Sequence, residues 1–376
     1  MIENKFWPES LQKPLLRAAF LPNEAGLQAW ELWKSQVNMD DHPDPGSFRL
    51  LPPLYRNLQR LNVDDPLLMK LKGIVRQRWY KNQQFFRSTV PTLQQLHQAG
   101  IEPLLLYGPA LALYYHSDYT LDGGTVLSIL VRPEQAVKTI HLLQDSGWVS
   151  EARLPQSLIE PYTTVGFMHL FQDSIQRRLQ LHWHLLPECC QSEVDASFWQ
   201  EALLTDVNDV PVYVLSPTDQ LLHICVQDTS TVEMTPFLRA IDAMLVIEAA
   251  KDDIDWNRLI AQARQYHLTL PLLHIFDYLQ TNLDNPIPKD IYQQLRATPV
   301  ARWQRIEFKS KNSVNIVSRR LSRLWFNYFR RNTKRSLLAN VAGFPKYLQQ
   351  YWRLKSFWEV PRQAVSAAQA RLHQPD

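Results

Sequence analysis

Leu104-Leu105-Leu106-Tyr107-Gly108 and, eighteen residues past that glycine, Val126-Leu127-Ser128-Ile129-Leu130-Val131-Arg132-Pro133 decide how this chain folds. Both are short apolar runs closed by a turn residue or a proline, which is the pattern of buried strands. Between them lie a short helical pattern from Ala110 to Tyr115 and the turn-rich Asp122-Gly123-Gly124. A helix is predicted from Pro133 to Ser146, ended by Gly147, and a third strand over Leu179-Gln180-Leu181-His182-Trp183-His184-Leu185. Strand, helix, strand, helix, strand predicts a small α/β core over residues 101–190.

Working outward, both flanks read as helices. On the N-terminal side, Leu11, Leu15, Leu16, Ala19 and Phe20 recur at helical spacing, and residues 25–36 repeat the pattern with Trp30 and Trp33. A loop at 42–46 leads to a helix starting near Leu50, with Pro52 and Pro53 in its first turn. Two further helices are predicted over 66–83 and 90–98, the second closed by Gly100. On the C-terminal side, the apolar piece 210–215 precedes Ser216-Pro217-Thr218-Asp219, an N-cap signal. Helices over 219–227, 235–250, 256–266, 270–279 and 290–296 follow. The expected fold is α+β, with a minimal α/β core between helical regions. Its expected divisions are 1–100, 101–190, a helical domain over 191–300, and a basic, aromatic tail over 301–376.

Composition narrows the class. A hydrophobic content of 45% and a charged content of 20% are ordinary for a globular chain. Three cysteines, Cys189, Cys190 and Cys225, make no disulfide framework. No apolar run approaches a membrane span, and no basic-then-apolar leader opens the sequence, so the expected location is cytoplasmic. The net charge of +3 conceals an asymmetry. Residues 301–376 carry 16 Lys and Arg against 3 acids, a local net of +13, which leaves −10 on residues 1–300.

The core pieces resemble a family of polymerase-beta-like proteins, the uncharacterised bacterial nucleotidyltransferases. The resemblance rests on Leu105-Leu106-Tyr107-Gly108, Ile129-Leu130-Val131-Arg132-Pro133 and Gln180-Leu181-His182-Trp183. It extends to Leu215-Ser216-Pro217-Thr218-Asp219-Gln220-Leu221-Leu222-His223, Asp253-Ile254-Asp255-Trp256 and Gly343-Phe344-Pro345-Lys346-Tyr347. It implies a fold in which an Asp-x-Asp strand and a third acid on a neighbouring strand hold magnesium for nucleotidyl transfer. Alternate residues of a strand share a face, so such a pair presents two carboxylates together. Their charge is what attracts the ion, and the ion aligns the phosphates for in-line displacement.

This chain departs from that pattern where the chemistry resides. The two aspartate positions are Val126 and Ser128, and the third acid position is Gln180. The family lysine beside the glycine is Tyr107, next to Gly108 as a remnant of nucleotide binding. The family arginine ahead of the carboxylates falls at Asp122. If the ions supplied about 5 kcal/mol of transition-state stabilisation, losing them would cost roughly three to four orders of magnitude in rate. The reading is a pseudoenzyme that needs no cofactor. Magnesium enters only if Asp118, Asp122 or Glu134 builds a relocated site, with a nucleoside triphosphate and an unknown acceptor as substrates. Asp122 also has an ordinary role as the opening of a Gly-Gly turn.

Two other constellations compete for attention. His182, His184, Cys189 and Cys190 have poor zinc spacing, and packing accounts for them better. In the tail, Arg319, Arg320, Arg323, Arg330, Arg331, Lys334 and Arg335 interleave with Trp325 and other aromatics. That pattern suits a helix packed on its own protein, an anionic membrane surface, or a protein partner such as an active enzyme. Nucleic acid is the weaker alternative. By the resemblance, an accessory role in surface-polysaccharide or peptide natural-product biosynthesis is implied.

Overall fold

In a computed structural model, which describes residues 11–38, 44–115, 126–152, 154–227, 235–313, 316–333 and 335–363, the fold is α+β. Its strands are β1 (Leu104–Leu105), β2 (Val126–Leu130), β3 (Val149–Ser150), β4 (Met168–Gln172), β5 (Arg178–His182), β6 (Leu203–Val207) and β7 (Val210–Val214). They form a mixed sheet in the order β3-β4-β5-β2-β1-β7-β6. β1 is shorter than its apolar run because Tyr107 adopts a left-handed backbone, φ 58°. There Tyr107–Ala110 begins a helical turn that continues as the π-helix Leu111–Tyr115. β5 stops at His182 because the next two amides, of Trp183 and His184, both turn to the Phe167 carbonyl.

Several expectations change. Residues 67–98 form one helix, Leu67–Gln98, not two, with Pro91 inside it. Just ahead of that proline, the hydroxyls of Ser88 and Thr89 donate to the carbonyls of Phe85 and Phe86, 2.7 and 2.8 Å away. The helix expected near Leu50 starts earlier, as Pro45–Arg60, because Asp44 caps the amides of Gly46 and Ser47 and Pro45 suits the first turn. Pro52 and Pro53 therefore sit within the helix rather than at its start. β3, β4, β6 and the helices Ile159–Val165 and Ser192–Gln200 are additions to the predicted set.

The chain divides into two compact units and crosses between them five times. The first comprises residues 1–93, 105–125 and 202–299, the second 94–104, 126–201 and 300–376. In the first, the Ser-Pro-Thr-Asp motif is a packing hub. Asp219 is fully buried, and its carboxylate accepts from Ser216, Arg258 and Gln262 at 2.9, 2.9 and 2.8 Å. Thr218 accepts the Asp255 amide at 2.8 Å, so helices Pro217–Val226 and Trp256–Gln265 lock together at their starts.

In the second unit, β2 and β5 run parallel, while β4 is antiparallel to both β3 and β5. Trp183 is a packing residue. Its indole N–H donates to the carbonyls of Thr163 and Gly166, both at 3.1 Å, closing helix Ile159–Val165. Arg331 donates to the carbonyls of Thr164, at 3.0 Å, and Gly166, at 3.4 Å. Helices Arg302–Lys311, Ile316–Arg331 and Leu337–Tyr351 complete this unit around buried Tyr328, Tyr347, Leu348 and Val360.

Candidate functional site

Ser128 and Gln180 are paired residues of β2 and β5, so their side chains leave the sheet on the same face. Both are buried, and the Ser128 hydroxyl donates to the Gln180 side-chain carbonyl at 3.2 Å. Two steps back on that face, Val126 pairs with Arg178. The guanidinium of Arg178 is engaged by Glu151, with Nε–Oε1 at 2.6 Å and Nη2–Oε2 at 3.1 Å. Thus the face predicted to carry carboxylates holds a valine, a neutral polar pair joined by a hydrogen bond, and an arginine already matched to one acid.

This donor set does not fit magnesium. The ion needs charged oxygen ligands, and an apolar side chain, one hydroxyl and one amide supply none. Among the described residues, no group of three or more His, Cys, Asp or Glu is arranged to hold a metal ion. Glu134, one candidate for a relocated site, is exposed in the 3-10 turn Pro133–Gln135. Asp118 and Asp122 lie outside the described residues.

In the other unit, Tyr107, where the resemblance implies a lysine, precedes the buried Gly108. Its ring lies 5.0 Å from that of His223, tilted by 31°. Burial pushes the His223 imidazole down to about 3, so it is neutral at physiological pH. An aromatic ring on a neutral imidazole offers no cation for a phosphate. Both residues stand in family-like motifs, 116 positions apart in sequence, and nothing in the spacing predicts their contact.

The sequence profile described as uncharacterised nucleotidyltransferase matches residues 47–284. The chain belongs to this family. The matched range takes in Tyr107-Gly108, Val126 to Pro133, Gln180 to Trp183, the Asp219 hub and Asp253 to Trp256, and ends before Gly343. No curated protein matches the chain.

The tail residues proposed from sequence divide by environment. Arg330 faces inward: its guanidinium straddles the Glu307 carboxylate at 2.7–3.0 Å and lies 5.1 Å from the Trp303 ring centre. Lys311 bridges Glu307 at 2.8 Å and Glu188 at 3.1 Å, making a buried four-charge cluster. Arg331 caps a helix, as described above. Trp325 packs edge-on to Phe344 and stacks with Phe329. Arg319, Arg320 and Arg323 are half-buried on helix Ile316–Arg331, and Arg335 is exposed. Lys334 lies outside the described residues. The residues of the zinc reading have other engagements. His184 meets Asp195 at 2.5 Å, and the Cys190 thiol donates to the carbonyls of Leu186 and Pro187. No helix among the described residues is long and apolar enough to cross a membrane.

Proposed function

We propose that this member of the nucleotidyltransferase family is catalytically degenerate and acts by binding, as a scaffold, a regulator or the partner of an active enzyme. The supporting observation is the Ser128–Gln180 hydrogen bond. The two positions meant to share a metal ion hold each other instead, with Val126 and the Glu151-paired Arg178 beside them.

The test is calorimetric titration with ATP, GTP, CTP and UTP, each with and without Mg²⁺. The expected result is no metal-dependent binding and no nucleotide consumption. Tight binding that requires Mg²⁺ would overturn the reading and direct attention to Asp118, Asp122 and Glu134. A complementary gain is expected on rebuilding the cage. The triple variant Val126→Asp, Ser128→Asp, Gln180→Glu should acquire terbium binding, read by tryptophan-sensitised luminescence, which the wild type lacks.

A further inference from the structure

Helix Leu337–Tyr351 buries one side, and its first two turns leave aliphatic side chains exposed on the other. Two contacts fix its orientation. Asn340 is fully buried, and its amide donates to the carbonyls of Asn332 and Arg335 at 3.3 and 3.5 Å. Three residues on, a Cβ added to Gly343 would lie 2.2 Å from the Tyr328 hydroxyl. Tyr347 and Leu348 continue this inward side. The helical period then turns Leu338, Val341 and Ala342 to solvent. Leu338 is 83% exposed, Leu337 65% and Val341 55%. A water-facing helix surface ordinarily carries charges at such places, and contiguous exposed aliphatics mark an interaction site.

The exposed charges that flank this tip in sequence are both positive. Arg335 and Lys346 flank it and are exposed. Between Glu307 and Glu359 the sequence has twelve Lys and Arg and no acid. Glu307 itself is buried against Lys311 and Arg330, so it offsets nothing at the surface. Beyond the helix, Trp358 is 84% exposed, an aromatic of the kind that settles at lipid headgroups.

We propose that the start of this helix is an anchor for an anionic lipid bilayer. Leu337, Leu338 and Val341 enter the boundary between headgroups and acyl chains, while Arg335 and Lys346 meet lipid phosphates. Charge complementarity selects this occupant, since exposed aliphatics flanked by the exposed cations Arg335 and Lys346 match an anionic plane with an apolar interior. Nucleic acid fits less well, because aliphatic side chains give bases no face to stack on. Of the aromatics that would, Trp325, Tyr328 and Phe344 pack on one another, and the exposed Trp358 lies beyond the helix.

The full-length chain should sediment with phosphatidylcholine–phosphatidylglycerol vesicles at low salt, and far less with phosphatidylcholine alone. The double variant Leu337→Ser, Leu338→Ser should lower the apparent affinity at least about tenfold, with circular dichroism and melting unchanged. A dye placed at Leu338→Cys should shift to the blue on anionic vesicles. Labelling there is selective because Cys189 and Cys225 are buried and Cys190 is half-buried. Failure of the wild type to sediment with anionic vesicles overturns the proposal, as does sedimentation untouched by the double variant. A wild-type dimer that the double variant converts to monomer overturns it too, since the tip would then cover a second copy of the chain.

Discussion

A serine and a glutamine can hold each other at a depth where two unpaired carboxylates could not remain charged. Ser128 is 3% exposed, so an aspartate there would carry its charge into the core, with Arg178 on that face of β5 already paired to Glu151. Ser128→Asp alone should cost about 2–3 kcal/mol in urea unfolding, and millimolar Mg²⁺ should not restore it. Restoration by Mg²⁺ would mean that further metal ligands survive nearby. The Glu307 cluster makes a second prediction. Burial pushes the Glu307 carboxyl up, but Lys311 and Arg330 outweigh it and hold the group below its ordinary value. A depressed carboxylate stabilises the fold fully above its unfolded value and loses that contribution as the pH falls through the folded one. Wild-type stability should therefore fall more steeply than that of Glu307→Gln below about pH 4.5, the ordinary value for such a carboxyl. Equal acid slopes would remove Glu307 from the account. Arg330→Ala should cost about 3 kcal/mol, because it leaves buried Glu307 and Glu188 to share Lys311. From sequence Arg330 reads as a surface cation, since composition shows the charge but not Glu307, which lies 23 residues away.

At the level of elements, what the sequence discloses depends on whether the signal is local. β2 is legible because Val126 to Leu130 is an apolar run with a proline shortly after it. The β6–β7 hairpin carries its own signal in Asn208-Asp209, whose φ values of 48° and 67° match a two-residue turn, though only its second strand reads as an apolar piece. β4 is harder. His169 interrupts its pattern, yet the residue is buried and accepts a hydrogen bond from Arg353, whose guanidinium also covers Tyr162. Burial and that neighbouring charge push His169 down to about 3, so it behaves there as a neutral core residue. Helix Leu337–Tyr351 offers a test of packing against propensity. Alanine normally favours a helix over glycine by about 1 kcal/mol, but at Gly343 the added methyl meets Tyr328, which is packed and cannot swing away. Gly343→Ala should therefore destabilise by about 1–3 kcal/mol. Among the described residues the Tyr328 hydroxyl has no hydrogen-bond partner, so Tyr328→Phe should cost little and should make the glycine substitution neutral or favourable. Equal effects of Gly343→Ala in both backgrounds, read in a double-mutant cycle, would place the strain elsewhere.

For the whole molecule, the basic C-terminal region stands apart in composition but not in structure. Residues 300–376 belong to the same compact unit as 126–201, and three long-range contacts explain why. Arg331 closes helix Ile159–Val165, Arg353 covers Tyr162 and reaches His169, and Lys311 neutralises buried Glu188. A chain ending at residue 299 would leave those carbonyls, that ring and that carboxylate without their partners. The summed loss, on the order of 5–10 kcal/mol, equals the stability of a typical domain. Such a truncated chain should lose its near-ultraviolet circular dichroism, and amides of β2, β4 and β5 should exchange rapidly with deuterium. Retained protection in those strands would instead make the basic region an appendage, dispensable to the fold and free to serve a surface alone.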